Sequence, residues 1–402
     1  MAIEFNEQQI YALYDIEKWW HHSTKQVYEL SGAAGTGKTT LIKYFIERMN
    51  IPLNRVAFVA YMGKASMQMA RNGLPAQTIH SLIYEYKKVP ETDENGEYVF
   101  RKNGRPKMTM GFVLREKLEK DIDLIVVDEG STVDEKTGKD ILSFGIPVIV
   151  LGDLNQLPPV YGKPIFLTNP DCILTQVMRQ EEGNPIVWLA HRVLDGESLP
   201  LGVYGKSSVI GKADLNNYIL KEADVVLTAS NKLRNEINTM FREQITPVRK
   251  LDAPNLGEKI ICRRNNWKKS IDDVIYLTNG TVGTVTYVDI ESFDGDKIKI
   301  DFKPDFLQKK FKNLFIDYKR MFENPGGKQE MKKGPRKVDV FEFAYAITTH
   351  LSQGSQYNNV VFLNERTHFN KETYKKLQYT AITRAIDKIT IVNWYLYIIL
   401  LY

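Results

Sequence analysis

Near the start of the chain, Gly32-Ala33-Ala34-Gly35-Thr36-Gly37-Lys38-Thr39 fits the pattern G-x-x-x-x-G-K-[ST], and its chemistry is the cradling of phosphates. The glycines let backbone N–H groups curl around anionic oxygens, and a following helix adds the partial positive charge of its N-terminus. Lys38 is expected to reach β- and γ-phosphates, the Thr39 hydroxyl to ligate Mg²⁺, and Thr40 to line the same site. A nucleoside triphosphate is the ligand this spacing demands. Further on, Leu124-Ile125-Val126-Val127-Asp128-Glu129 ends an apolar run in two acids. Asp128 suits the metal, and Glu129 suits the orienting or deprotonation of an attacking water. A second apolar run, Val148–Leu151, leads into Gly152, Asp153 and Gln156. The Gln156 carboxamide has the donors and acceptor to bond a γ-phosphate or that water.

Such groups must be held by a rigid frame. Val27–Leu30 reads as a strand before the glycine-rich run, and Leu41, Ile42, Phe45 and Met49 give the helical spacing after it. Apolar, β-branched runs recur at Val56–Ala60, Leu124–Val127, Val148–Leu151, Val225–Thr228, Ala344–Thr348, Val360–Leu363 and Ile389–Val392. Runs of this kind separated by helices predict parallel sheets covered on both faces. They are too many for one mononucleotide-binding domain and enough for two, only the first of which has a phosphate loop. The expected fold class is therefore α/β, with domains at 1–84 plus 112–180 and at 181–277 plus 339–402.

Two stretches break the pattern. Residues 85–111 contain Asn95-Gly96 and Asn103-Gly104 between short aromatic runs, which predicts an inserted β-hairpin. Tyr98 and Phe100, two apart, would share one face of a strand. Residues 278–338 open with alternating residues and glycine turns, which predicts a small antiparallel barrel. Within it, Phe306–Val338 carries ten Lys/Arg against three acids. Phe311, Phe315, Tyr318 and Phe322 fall at helical spacing, so an amphipathic helix is expected there, with Lys309, Lys310, Lys312 and Arg320 facing phosphates. Gly326–Arg336 reads as a basic loop, and Trp394–Tyr402 as a buried last strand or helix.

Composition narrows the class further. The chain has 402 residues, 43% hydrophobic and 26% charged, with a net charge of +5, an ordinary soluble balance that permits a polyanionic partner. Cys172 and Cys262 stand far apart without histidines at ligand spacing, which argues against a disulfide framework or zinc site and suits a reducing cytoplasm. The first residues lack the apolar segment of a signal peptide, and Trp394–Tyr402 is too short to span a bilayer.

Taken in order, the motifs resemble those of the superfamily 1 helicases, in particular the RecD/Dda-like branch that includes phage Dda-like enzymes. Gly152-Asp153-Leu154-Asn155-Gln156-Leu157-Pro158-Pro159-Val160 carries the likeness together with the phosphate loop and the Asp-Glu strand. Thr175-Gln176-Val177-Met178-Arg179-Gln180 is similar to the branch's arginine segment, and Thr349-His350-Leu351-Ser352-Gln353-Gly354-Ser355 to its Thr-x-His-x-x-Gln-Gly stretch. Tyr379-Thr380-Ala381-Ile382-Thr383-Arg384-Ala385 is similar to its final motif. Phe5-Asn6-Glu7-Gln8-Gln9 resembles the segment whose glutamine recognises adenine, Gln9 being the better placed. Ala76-Gln77-Thr78-Ile79-His80-Ser81-Leu82 resembles a single-strand contact. The chain departs from the pattern at Tyr61-Met62, where Pro-Thr is usual, at Gly130, and at Leu351, where many relatives are basic.

The resemblance implies two RecA-like parallel-sheet motor domains with an inserted hairpin and an inserted SH3-like β-barrel, hydrolysing ATP with Mg²⁺ in the cleft between them. It implies catalytic roles for Lys38, Glu129, Gln156, Arg179 and Arg384, and Mg²⁺ ligation by Thr39 and Asp128. Nucleotide contacts would come from Gln9, Gly32, Ala33, Gly35, Thr36, Gly37, Lys38, Thr39, Thr40 and Gly354. Nucleic-acid contacts would come from Lys64, Thr78, His80, Thr349, His350 and Gln353, and, on the hairpin's own residues, Tyr98 and Phe100 are offered to a duplex fork as a strand-separating pin. The arginines would meet charge developing on the γ-phosphate. The implied activity is ATP-driven 5′-to-3′ movement on single-stranded DNA and unwinding of forked DNA, in replication or recombination. The enzyme is expected as a cytoplasmic monomer (in the host cytoplasm if of phage origin), with a single-strand-binding or replication protein as candidate partner. Its length favours a stand-alone motor. Two other readings stay open: an RNA-acting relative, told apart by 2′-OH contacts, and a phosphate-loop kinase or nucleotide switch, whose turnover nucleic acid would leave unchanged.

Overall fold

Strands buried along their whole length build the frame of each half: Val56–Ala60 and Val148–Gly152 in the first, Val225–Thr228 in the second. The computed structural model describes residues 4–33, 35–61, 69, 73–93, 97–101, 103–159, 162–176, 183–245, 252–271, 275–305, 307–322, 338–366 and 368–394. The chain divides into two units. One comprises Met1–Tyr61, Ala65–Leu154 and Pro158–Gln176; the other comprises Met62–Lys64, Asn155–Leu157 and Val177–Tyr402.

In the first unit, strands β1 (Val27–Gly32), β2 (Val56–Ala60), β3 (Ala76–Thr78), β6 (Leu124–Asp128), β7 (Val148–Gly152) and β8 (Cys172–Leu174) form one sheet. Its order is β3-β2-β6-β7-β1-β8, with every pairing parallel. Helices α1 (Glu7–His22) and α2 (Lys38–Arg48) cover one face through Leu13, Ile16, Leu41 and Phe45, which share a core with Leu30, Phe58 and Ile149. Helices α3 (Ile79–Ile83) and α4 (Glu135–Leu142) bring Ile79, Ile83 and Ile141 to the core that holds Val59, Val127 and Val150. Two apolar faces explain why these strands are continuous apolar runs and not alternating ones.

Between α3 and β6 the chain forms an antiparallel ribbon of β4 (Tyr84–Pro90) and β5 (Met108–Leu114), with Tyr86 opposite Phe112 and Lys88 opposite Met110. Beyond it, Thr92 bridges to Tyr98 and Phe100 to Pro106, so the end of the ribbon folds back on itself. Asn95-Gly96 lies outside the described residues.

The second unit has a six-stranded sheet of order β19-β11-β20-β21-β10-β9. Its strands are β9 (Gly202–Tyr204), β10 (Ser207–Gly211), β11 (Val225–Thr228), β19 (Ala346–Thr348), β20 (Tyr357–Asn364) and β21 (Ala385–Asn393), and only β9 at the edge runs antiparallel to its neighbour. Helices α5 (Pro185–Leu194), α6 (Asn217–Glu222), α7 (Asn231–Met240) and α9 (Lys371–Ile382) supply the apolar cover. A second, antiparallel sheet joins β12 (Lys259–Cys262), β15 (Val282–Asp289), β16 (Lys297–Pro304), β17 (Phe311–Asp317) and β18 (Phe341–Phe343) in the order β17-β16-β15-β12-β18. It draws strands from both sides of the 278–338 segment, while among the described residues β13 (Asn266–Ile271) and β14 (Ile275–Leu277) pair only with each other.

The amphipathic helix expected over Phe311–Phe322 is a strand followed by a short helix. Phe311–Asp317 pairs with β16, and only Tyr318–Phe322 (α8) is helical. Asn313 has a φ of 54°, and its N–H donates to the Asp301 carboxylate at 3.0 Å. The ladder slips at this point, between Ile300 and Phe302 on β16. An extra residue in a strand displaces the inward alternation by one. Phe311, Leu314 and Ile316 are therefore the buried positions, and an i, i+3 step resembles a helical one. The expected phosphate-facing lysine surface is also partly committed, since Lys310 pairs with Asp301 and Arg320 with Glu342. Gly326–Arg336 and Tyr395–Tyr402 lie outside the described residues.

Candidate nucleotide site and nucleic-acid-facing segments

β1 ends at Gly32, and α2 begins six residues later at Lys38, so the phosphate loop spans a strand end and a helix start. Gly35 and Gly37 have φ of 79° and 78°, a region that side chains disfavour. A Cβ on Gly32 would lie 2.7 Å from Thr36 Oγ1 and 3.0 Å from Leu174 Cβ, so the loop closes too tightly there for any side chain. Among the described residues no side chain caps α2, and no acid stands in its first turn. Its leading N–H groups are therefore left for an anion. Lys38 Nζ donates to the carbonyls of Gly32 (2.6 Å) and Ala33 (3.0 Å), which places the ammonium at the mouth of the loop. Thr36 is buried and donates to Ala33 O, Thr39 is half-buried in the first turn of α2, and Thr40 is exposed beside it. Among the described residues no carboxylate pairs directly with this cation, and a cradle of donors around it fits a triphosphate.

Asp128 closes β6, two strands away from β1 in the sheet. Part of its side chain reaches the surface, but protein surrounds most of it. Burial, with the Glu129 charge beside it, pushes the carboxyl up to about 6, against the pull of the Glu129 N–H and of Lys38. The pull of Lys38 on the carboxyl accords with the acid and the phosphate-loop ammonium serving one site. Glu129 adopts φ 53°, ψ 41°, a left-handed conformation rare for a side chain of this type. Its carbonyl is fixed by the N–H and Oγ1 of Thr132, at 3.0 and 2.8 Å. A strained residue held at a strand end next to a phosphate loop is a candidate functional position.

The two glutamines at the start of α1 do different things. Gln9 is 1% exposed; its amide donates to Thr36 O at 3.0 Å and accepts from Asn6 N–H, closing a capping box. It thus braces the phosphate loop from behind. Gln8 donates to Thr175 Oγ1 and accepts from the N–H groups of Thr175 and Gln176, tying α1 to the segment after β8. The sequence gives no signal for that second brace, because both of its ends are ordinary polar residues.

Thr78 caps α3, its Oγ1 accepting from Ser81 N–H. His80 is the second residue of α3, and burial holds its imidazole below the usual histidine value, hence neutral near pH 7. It packs against Tyr61, Tyr84 and Phe112, with ring centroids 5.8, 5.1 and 5.5 Å away. Tyr98 and Phe100, at the end of the ribbon, are each 59% exposed. Lys64 lies outside the described residues, as does Arg179.

In the second unit, Asn155–Leu157 joins the core of that unit although the strand before it does not. Leu157 N–H donates to Thr380 Oγ1 at 3.0 Å, and Leu157 O accepts from Gln353 Nε2 at 2.7 Å. Gln353 is 4% exposed, so its amide braces the segment that carries Gln156. Gln156 is itself buried, and its Oε1 has no hydrogen-bond partner among the described residues. Thr349 is buried and donates to Thr228 O, while half-buried His350 meets Phe369 edge-on at 6.3 Å, and burial lowers its pKa. Gly354 has φ 68°. Arg384 is 3% exposed and donates to the carbonyls of Thr380 and Ser355 and to Thr383 Oγ1.

Comparison with known proteins agrees with this layout. A family model described as an AAA domain matches residues 5–214, and one described as a UvrD-like helicase C-terminal domain matches residues 343–392. The ATP-dependent RecD2 DNA helicase of Deinococcus radiodurans is 26% identical over 384 residues, covering 89% of this chain and 46% of that protein. The ATP-dependent DNA helicase dda of Enterobacteria phage T4 is 30% identical over 258 residues, covering 56% of this chain and 53% of that protein. The chain spans 36% to 53% of the length of such curated relatives. A Pif1 helicase from Bacteroides, solved with ADP-AlF3 and single-stranded DNA, shares the fold at a TM-score of 0.51 and 16% identity, over 96% of this chain and 92% of that one. With the AAA-domain match over more than half of its residues and the helicase C-terminal match following it in chain order, the chain belongs to the superfamily 1 helicases, of the RecD and Dda kind.

Proposed function

We propose that this chain is an ATP-dependent DNA helicase that moves 5′-to-3′ on single-stranded DNA and opens duplex at a fork. The observation that carries the reading is the phosphate loop itself: an uncapped α2 N-terminus, Lys38 at its mouth and Asp128 within reach of the same charge. When bound, ATP supplies the phosphoanhydride bond whose cleavage drives movement, its charge offset by Mg²⁺ on Thr39 and Asp128. The N–H groups of Gly35 to Thr39 and the Lys38 ammonium hold the phosphates. Glu129 takes the proton of the attacking water, and the unpaired Gln156 Oε1 accepts its second O–H, which fixes the line of attack. Arg179 and Arg384 meet the charge that develops on the transferred group. Gln9 and Gln353 act one step back, bracing the segments that carry Thr36 and Gln156.

On the nucleic-acid side, Thr78, His80, Thr349 and His350 contact the single strand, and the exposed Tyr98 and Phe100 press on the terminal base pair. The relatives named as DNA helicases support DNA as the substrate. The test is unwinding of duplexes carrying a 5′ or a 3′ single-stranded tail, with ATP and Mg²⁺. Unwinding of the 5′-tailed duplex alone is expected, with ATP turnover raised by single-stranded DNA more than by RNA. Turnover indifferent to any nucleic acid would remove the helicase reading.

A further inference from the structure

The ribbon of β4 and β5 carries more than a pin at its end. Cross-strand partners share a face, so Tyr84, Tyr86 and Lys88 stand on the side that also presents Phe112 and Met108. Phe112 meets Tyr86 at 5.1 Å, Tyr84 at 6.1 Å and His80 at 5.5 Å, a run of rings that starts at the half-buried histidine and climbs the ribbon. Tyr86, Phe112 and Met108 are nonetheless 42%, 41% and 43% exposed. A core would hide such rings, and contiguous exposed apolar surface marks a binding face. The charge pattern says what kind. On this face the only charged residue among those described is Lys88, whereas Glu85 lies on the opposite face, ion-paired with Lys87. Beyond the foot of the ribbon, where Tyr84 bonds the Asp140 carboxylate, the shaft therefore sets aromatic faces beside a cation with no acid of its own on that face, which is what a single strand needs: rings for its bases and the ammonium for its phosphates.

We propose that this face of the ribbon, centred on Phe112 and Tyr86, is a base-stacking track for single-stranded DNA that continues from His80 toward the ribbon's end. The inference rests on the DNA-helicase reading above. It also differs from a pin: the track grips unpaired bases along the shaft, where the pin opens pairs at the end. Photocrosslinking tests it, with the full chain bound to a dT oligonucleotide carrying 5-iodo-2′-deoxyuridine, whose excited ring couples to an aromatic side chain that it stacks on. Crosslinks on Tyr86 or Phe112 are expected. The Tyr86→Leu/Phe112→Leu variant keeps the apolar packing on His80 and Tyr84 but removes the π-faces. It should bind the oligonucleotide about tenfold or more weakly, with unstimulated ATP turnover unchanged, while Phe112→Trp should retain wild-type affinity. If wild-type turnover responds to DNA but crosslinks fall elsewhere and the double variant binds as wild type does, the track is refuted and the helicase reading stands. If wild-type turnover ignores DNA, both fall.

Discussion

Replacing Gln9 by alanine distinguishes a glutamine that reads adenine from one that braces the phosphate loop. The side chain makes a buried bond to Thr36 O and accepts the N–H of Asn6. Losing the second costs little, because Asn6 is half-buried and its own side chain still caps the helix; about 0.5 kcal/mol is typical of such a cap. Losing the first strands a carbonyl next to a buried threonine, at about 1–3 kcal/mol. The sum, about 1.5–3.5 kcal/mol, should lower the unfolding temperature of the first unit by roughly 3–14 °C at the per-kilocalorie scale of domains this size. Because the loop is loosened from behind, the affinity for fluorescent ATP and GTP analogues should fall by the same factor. Thermal unfolding and a fluorescence titration with both analogues decide the matter. A variant that melts like the wild type but loses only its preference for adenine would refute the brace and make Gln9 a base-contacting residue.

Arg384→Lys keeps a positive charge in a buried position but loses the planar fork; stopped-assay turnover should fall by about 10³-fold while nucleotide affinity changes little, and unchanged turnover would take Arg384 out of the chemistry. Alanine at both Tyr98 and Phe100, exposed as they are, should leave the fold and DNA-stimulated hydrolysis intact and abolish unwinding of forked duplexes; equal loss of both activities would count against a pin. For Asp128 the sign follows from its raised pKa. Between the ordinary value of 3.8 and about 6 the folded state holds a proton that the unfolded chain releases, so the first unit loses stability as pH rises through that window and stays level above it. Asp128→Asn should flatten this slope in urea titrations without metal, and parallel slopes for the two proteins would show that another group titrates. At Asn313, valine should cost about 1–2 kcal/mol because of the left-handed backbone, and glycine should be nearly neutral; similar denaturation midpoints for the two would place the bulge elsewhere.

What could be read from residue order was what a short stretch of chain determines by itself. Gly32–Thr39 sets its own backbone, since the glycines permit the turn and the helix N-terminus follows from the residues after it. The fully buried strands declare themselves because both of their faces must be apolar, so Val56–Ala60 and Val225–Thr228 stand where their sequence places them. Phe311–Phe322 failed for a local reason with a distant cause. The bulge at Asn313 exists because Asp301 on the neighbouring strand accepts its N–H, and nothing within the segment announces that partner. Gln353 shows the same limit at the candidate site. Its motif marks it as functional, but that its amide is spent on Leu157 O, 196 positions away, depends on how two loops of the second unit meet.

The ribbon illustrates why surface chemistry is harder to read than a phosphate loop. In the loop, anion recognition comes from backbone N–H groups, so glycine and lysine at fixed offsets suffice to identify it. On the ribbon, recognition would come from side chains on two strands whose residues are neighbours only through the register that sets Tyr86 opposite Phe112. A slip of one residue would turn Phe112 to the face of Glu85 and break the run of rings that begins at His80. The register is in turn fixed at the foot of the ribbon, where Tyr84 packs against His80 and bonds the Asp140 carboxylate. The residues that anchor the ribbon to the first unit therefore also decide which side chains it offers to a strand, and shortening Tyr84 to phenylalanine should weaken single-strand binding less than it weakens the ribbon's own stability.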